Sequence, residues 1–354
     1  MELKEYRFDE VTINFDKKRI PLSGAQRKKR QGNFRYYGAQ GVIDHIDDFI
    51  FDGTYLLIAE DGENLKSKKQ NIAQVVEGQF WVNNHAHIVQ GNELCNTRYL
   101  CYLLNSMDLS GYVTGSAQPK LSQANLNAVT LFLPSITVQE RIVESLYLFD
   151  KKIAVNQKIN DNLQQQAQAI YASMFVDNAE PTWKQGHLSD FVIVRYGKDH
   201  KKLADGIYPV YGSGGIMRHV ERPLYDKESV LIPRKGTLNN VMYVNQPFWS
   251  VDTMFYTEMR LPDVAKFVYH FVKAKDLAAM NAGSAVPSMT TDILNAMEIV
   301  IPPASVLEEF ESLVAPMYRA MQGNDAQSKK LADLRNALLP KLMSGEIDVS
   351  DIQL

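Results

Sequence analysis

Tyr36–Asp47 reads YYGAQGVIDHID, and Tyr208–Glu221 reads YPVYGSGGIMRHVE. Tyr37-Gly38 matches Tyr211-Gly212, Gly41 matches Gly215, His45 matches His219 and Gly62 matches Gly236, each pair 174 residues apart. Farther along, Phe80-Trp81 answers Phe248-Trp249, GSAQP at Gly115 answers GSAVP at Gly283, and Pro134 answers Pro302, now 168 residues apart. The second copy is therefore six residues shorter between the two blocks. Solenoid repeats run about 20 to 50 residues, so a period this long marks duplication of a whole domain with its connector. The 354 residues suit two such units, since a domain takes roughly 100 to 200.

Each copy reads as a mixed α/β globule. Short runs such as YLLIAEDG, QFWVNNHAHIV and VTLFLP lie between Gly, Asn and Asp breakers, the pattern of strands and turns. RYLCYLLNSM and VAKFVYHFVKA supply sparser helical material. After the first globule, Gln139–Phe175 contains no Gly or Pro, and apolar residues recur at Ile142, Leu146, Phe149, Ile153, Leu163, Ala167, Ile170 and Met174. Steps of four and three predict a coiled-coil seam, with Asn156 and Asn160 in its gap to fix register. The 168 offset carries the same seam to Phe310, Val314, Met317, Met321, Asn324, Leu331, Leu338 and Leu342, with Asn324 answering Asn156. Pro316 and Pro340 are expected to kink or interrupt this second helix, because proline removes a helical hydrogen bond. A 37-residue helix is ~55 Å long at 1.5 Å per residue.

Composition is that of a globular protein, 45% hydrophobic and 22% charged. MELKEYRFDEV has no basic segment leading into an apolar run, and no window approaches the ~18 apolar residues of a membrane span. A soluble, cytoplasmic protein is expected. Cys95 and Cys101 lack metal-site spacing and read as ordinary reduced thiols. Net charge is -3, with a pI near 6.2, yet basic residues cluster. Lys17–Gly38 holds eight Lys or Arg and no Asp or Glu, RYGKDHKK spans Arg195–Lys202, and SKK spans Ser67–Lys69.

A catalytic centre is not apparent. There is no G-x-x-x-x-G-K-[ST] loop, no G-x-S-x-G elbow and no H-E-x-x-H helix, and the glycines of YGSGG suit a turn better than a nucleotide site. His85 and His87 could share a strand face, but no neighbouring Cys or His completes a ligand set, which favours structural histidines. The acidic clusters DHIDDF and AEDGEN could supply paired carboxylates, yet the second copy replaces AEDG with PRKG. A shared scaffold with different side chains at equivalent loops suits two related but nonidentical surfaces, such as DNA half-sites. Arg reads guanine, Asn and Gln read adenine, and Lys mainly anchors phosphate.

Over essentially its whole length the chain resembles the specificity (S) subunit of Type I restriction-modification systems. The residues that carry the resemblance are the tandem globules, QERIVESLYLFDKKIAVNQKINDNLQQQAQAIYASMF, the terminal LLPKLMSGEIDV, and YGAQG/YGSGG with GSAQP/GSAVP. The resemblance implies a mixed α+β fold of two tandem, pseudo-symmetric target recognition domains, each followed by a long helix, the helices pairing as an antiparallel coiled coil. Its boundaries would be 1–138 and 179–304 for the recognition domains, 139–178 and 305–346 for the spacer helices, and 347–354 for a tail. It further implies a non-catalytic reader of double-stranded DNA with a bipartite target. Two methyltransferase (M) subunits, carrying S-adenosylmethionine and methylating adenine N6, would dock on the helices, and motor and nuclease (R) subunits would join them. In keeping with that division of labour, IPPAS at Ile301 lacks the asparagine and aromatic of an NPPY-like methyltransferase motif.

The likeness does not transfer base contacts, so the candidate DNA-binding residues are chosen by charge and position. They are Lys28, Lys29, Arg30, Arg35, Gln40, Lys66, Lys68, Gln118 and Lys120 in the first domain, and Arg195, Lys198, Lys201, Lys202, Ser213, Arg218, Arg234, Lys235 and Asn239 in the second. The repeated Trp81 and Trp249 read as core and are left out. Two competing readings stand beside this one. A DNA-independent scaffold joining two copies of a partner is slightly favoured by the acidic pI, and duplex binding by the assembled complex discriminates against it. A nuclease or methyltransferase hidden in the chain itself would show as modification of DNA by the isolated protein.

Overall fold

The computed structural model describes residues 2–67, 70–115, 118–280, 288–347 and 349. The chain forms two compact units, Met1–Val155 with Gln327–Leu354, and Asn156–Ala326. The chain passes from the first unit to the second, and later back, within its two long helices, Ile136–Ala172 and Ala304–Ser344.

In the first unit a six-stranded sheet runs in the order Thr12–Asn14, Ala86–Gly91, Phe51–Ala59, Ala73–Val82, Gln31–Gly38, Gly41–Ile46. A second ladder pairs Lys4–Arg7 with Thr130–Leu133. Helix Thr97–Ser106 is opened by Asn96, whose side chain accepts from the Arg98 and Tyr99 amides, the usual work of an N-cap. It buries Tyr99, Leu100 and Leu104 in a core shared with Ile142 and Leu146 of the first long helix and Leu342 of the second. Gln139, fully buried, fastens the first long helix to its globule. Its Nε2 donates to the Leu94 and Pro134 carbonyls, and its Oε1 accepts from the Asn96 amide.

The second unit repeats the first at the level of strand register. Gln31–Gly38 pairs with Gly41–Ile46, and Asp205–Gly212 with Gly215–Val220, through the same register shifts moved by 174. The parallel contact Tyr36↔Trp81 becomes Val210↔Trp249. The sheets differ nonetheless. The continuous strand Ala73–Val82 is represented in the second unit by two pieces, Met242–Val244 and Trp249–Ser250, belonging to a four-stranded and a three-stranded sheet. Pro247, which cannot donate to a ladder, stands in the gap between the two pieces, where the first copy has Gln79.

Both long helices enter the cores. In the second unit Ala167, Tyr171 and Phe175 pack with Phe310, Val314, Tyr318 and Met321. Asn156 Nδ2 donates to the Asn324 carbonyl at 3.3 Å, and Asn160 Nδ2 to the Met321 carbonyl at 3.3 Å and to Asp325 Oδ1 at 2.7 Å. Asn324 Nδ2 returns a bond to Asn160 Oδ1 at 2.8 Å. Rising numbers on one helix meet falling numbers on the other, so the segments run antiparallel. In the first unit Asp150 pairs with Arg335 and accepts from the Tyr102 hydroxyl, while Phe149 and Leu338 are half-buried against that unit's core. Ile153, Leu163, Ile170, Met317 and Leu331 are likewise half-buried.

The expected interruption at Pro316 and Pro340 does not occur: Ala304–Ser344 is one uninterrupted helix of 41 residues. Both prolines and the residues four positions before them, Ser312 and Asn336, lie on the exposed side. Water can satisfy the freed carbonyls there, while Val314 and Tyr318 on the buried side keep their packing. Among the described residues no helix is long and apolar enough to cross a membrane.

Candidate nucleic-acid interface

Three turns meet in each unit, and they meet in the same way. In the first unit, the Glu60 amide bonds the His85 carbonyl, the Leu121 amide bonds the Glu60 carbonyl, and Asp61 bridges Lys120. In the second, the Arg234 amide bonds the Thr253 carbonyl, the Met289 amide bonds the Arg234 carbonyl, and Lys235 bridges Ser288. Each partner is shifted by the repeat offset.

The hairpin turns close onto this junction. At Gly62 φ is +130°, and a Cβ would lie 2.7 Å from Asn64 Oδ1 and 3.2 Å from Gln40 Nε2. At Gly236 φ is +85°, and a Cβ would lie 2.8 Å from Ser213 Oγ. Only glycine both takes this backbone conformation freely and admits the hairpin so closely. Gln40 Nε2 donates weakly to Asn64 at 3.4 Å, and Asn240 Nδ2 to the Ser213 carbonyl at 2.8 Å. Lys66 Nζ reaches the Gly115 carbonyl at 2.9 Å.

The frame is shared, but its charge is not. In the first unit Glu60 pairs with Lys120 at 3.2 Å and with Arg19 at 3.1 Å, and Asp61 pairs with His85 at 2.8 Å. Their counterparts are Arg234 and Lys235. Arg234 lies over the Tyr196 ring, 5.4 Å from its centroid, and Lys235 is exposed. Among the described residues no carboxylate pairs with Arg234 or Lys235, so the second junction offers positive charge where the first is a mixed network.

Of the predicted residues, the junctions gather Gln40, Lys66, Gln118 and Lys120 in one unit and Ser213, Arg234 and Lys235 in the other. Lys68 lies outside the described residues. Lys28, Lys29, Lys198, Lys201 and Lys202 are exposed on other segments, and among the described residues their ammonium groups form no ion pair.

Others are held within their own unit. Arg30 pairs with Asp47 at 2.9 Å over the Trp81 ring, and Arg35 donates to the Glu77 carbonyl at 2.7 Å. Arg195 pairs with Glu258 at 3.1 Å, Arg218 with Asp205 at 2.6 Å, and Asn239 donates to Asp276 at 3.0 Å. Asp276 is held below the usual carboxylate range, chiefly by that Asn239 bond. Sequence reading weighed Glu60 and Asp61 of AEDGEN only as catalytic carboxylates and left them, with Ser288, out of the interface. The repeat offset, applied position by position, was the signal that finds them.

The conspicuous aromatic and sulfur groups are structural. Trp81 and Trp249 are buried, donating to the Ile20 and Lys198 carbonyls at 2.6 and 2.9 Å. His87 is buried, with Asp16 Oδ2 at 2.6 Å on one ring nitrogen and the Leu121 carbonyl at 2.8 Å on the other. Cys95 is a buried free thiol that burial pushes up to about 12.

Comparison with known proteins agrees with this geometry. The family model for the Type I restriction modification DNA specificity domain matches residues 2–165 and 180–309. A protein of Haemophilus influenzae named as a type I restriction enzyme specificity subunit is 26% identical, covering 94% of this chain and 93% of its own. The MjaIX specificity subunit of Methanocaldococcus jannaschii is 25% identical, covering 72% of this chain and 70% of its own. The crystal structure of the Type I restriction-modification S subunit from M. genitalium shares the fold, with a TM-score of 0.59, 14% identity, and 97% and 96% of the two chains covered. The duplicated globules, their repeated junctions and the match over both copies establish one conclusion: this chain belongs to the type I restriction-modification DNA specificity family, and its role is DNA sequence specificity.

Proposed function

We propose that each junction reads one half of a bipartite duplex target, while the long helices set the unread spacer and dock two methyltransferase subunits. The observation that carries the reading is the repeated junction with altered side chains, Glu60-Asp61-Gly62 against Arg234-Lys235-Gly236. A fixed frame with changed donors and charges is what two different half-sites require. Leu148, Val155 and Ile159 support the docking role. They are exposed apolar residues of the first long helix, spaced by seven and then four, as on a second seam.

S-adenosylmethionine and the adenine-N6 chemistry belong, in this reading, to the methyltransferase subunits, and motor and nuclease subunits complete the restriction complex. Long-read detection of N6-methyladenine in host DNA, with the gene intact and deleted, tests it. The expected result is loss of one asymmetric, bipartite methylated motif. Unchanged methylation while the methyltransferase is demonstrably active would refute the reader role.

A further inference from the structure

The hairpin beside each junction carries a second repeated feature. Strands Gly41–Ile46 and Gly215–Val220 are sheet edges, where natural proteins usually place charge. Here the two residues after the turn glycine are apolar and open to solvent in both copies: Val42 43% and Ile43 51% exposed, Ile216 54% and Met217 61%. The second of each pair lies across a glycine of the facing strand. A Cβ on Gly38 would come within 3.2 Å of Ile43 Cγ2, and one on Gly212 within 2.5 Å of Met217 Sδ. Asn83 and Val251, themselves 168 apart, flank these glycines. The glycine thus lets a long apolar side chain lie over the hairpin next to Gln40 in one unit and Ser213 in the other.

Resting on the DNA reading above, we propose that Ile43 and Met217 are specificity-determining residues, each contacting the 5-methyl group of a thymine in its half-site. The thymine methyl is the apolar group that base pairs display in the major groove. A side chain without donor or acceptor would leave a polar base edge unpaired, which disfavours the other bases. The occupant is a polyanion rather than an apolar protein face, because in the second unit the hairpin that carries Met217 closes through Ser213 onto the Arg234-Lys235-Gly236 turn, and the first unit repeats that frame at Gly62 and Gln40. The change from Ile to Met between copies follows the same logic as the change of charge at the junctions: one frame, two readings.

The test uses the full chain assembled with its methyltransferase subunits and duplexes carrying the mapped target, each thymine replaced in turn by deoxyuridine. In each half-site one replacement should weaken wild-type binding about fourfold, the effect of leaving one methyl group unburied. Ile43→Ala should abolish that sensitivity in one half-site and leave the other intact, and Met217→Ala should do the reverse. Ile43→Asn, compared by circular dichroism and by binding to the unaffected half-site, separates loss of contact from loss of fold. Half-sites with no methyl-sensitive thymine, or variants that keep the wild-type sensitivity, overturn the proposal. So do variants that change only self-association in sedimentation. A wild-type complex with no sequence preference would instead remove the DNA-reading geometry on which it rests.

Discussion

His270 is buried in the second unit, its Nδ1 donating to Gln168 Oε1 at 2.7 Å and its Nε2 accepting from the Tyr318 hydroxyl at 2.9 Å. Burial pushes it down to about 4 from an ordinary 6.5, so the folded ring is neutral at a pH where an unfolded one is protonated. The unfolded state then binds more protons, and stability must fall as pH drops from 6.5 toward 4. The loss is up to about 3 kcal/mol, and His270→Gln should flatten this part of the pH dependence in urea unfolding. Residue type was legible at such positions, but engagement was not. Arg30 and Lys29 are neighbours in one basic run, yet Arg30 is tied to Asp47 and Lys29 is exposed. A sequence gives the charge of a side chain and leaves its partner to the fold.

Among elements, the long helices were the most legible, because a seam repeated at a fixed offset overdetermines them. Of the kink or interruption expected at Pro316 the interruption is absent, because the cost of a proline depends on which side of the helix it faces, which depends on the packing of Val314 and Tyr318. Pro316→Ala restores a donor worth up to ~3 kcal/mol and loosens the unfolded chain by ~1, so a net gain of about 2 kcal/mol is expected in urea unfolding. The strand break at Pro247 was legible in principle, since the repeat sets it against Gln79. The helices also carry a functional prediction. Adding four residues to each, after Val155 and after Ala326, lengthens each by about 6 Å, near two base pairs. Mapping of the methylated motif should then show a longer spacer between unchanged half-sites; altered half-sites with an unchanged spacer would contradict the assigned roles.

For the whole molecule, the duplication and the change from AEDG to PRKG were readable in the sequence, whereas the difference in pairing, with Glu60 tied to Lys120 and Arg19 and Lys235 left exposed, emerged only in the structure. That difference predicts unequal electrostatic contributions to DNA binding. Affinity should fall steeply with salt, and Arg234→Ala with Lys235→Ala should reduce the slope of log K against log salt by about 2 if both contact phosphate. Lys120→Ala should change the slope by less, because Glu60 already neutralises Lys120 at 3.2 Å. Filter binding at a series of salt concentrations reads both.

The division of the two long helices between the units sets an order of manufacture. A ribosome releases the first globule early, then every residue of the second unit, and only afterwards Gln327–Leu354, which brings Leu342 and Val349 into the first unit's core. At 5 to 20 residues per second, the second unit, Asn156–Ala326, takes roughly 9 to 34 s to emerge, and the first unit waits that long for the segment that completes its core. Any message cut short after Ala326 yields a finished second unit beside a first one with bare apolar surface around Ile142 and Leu146, which proteases and chaperones recognise. A stretch translated after the whole second unit thus acts as a seal on the first.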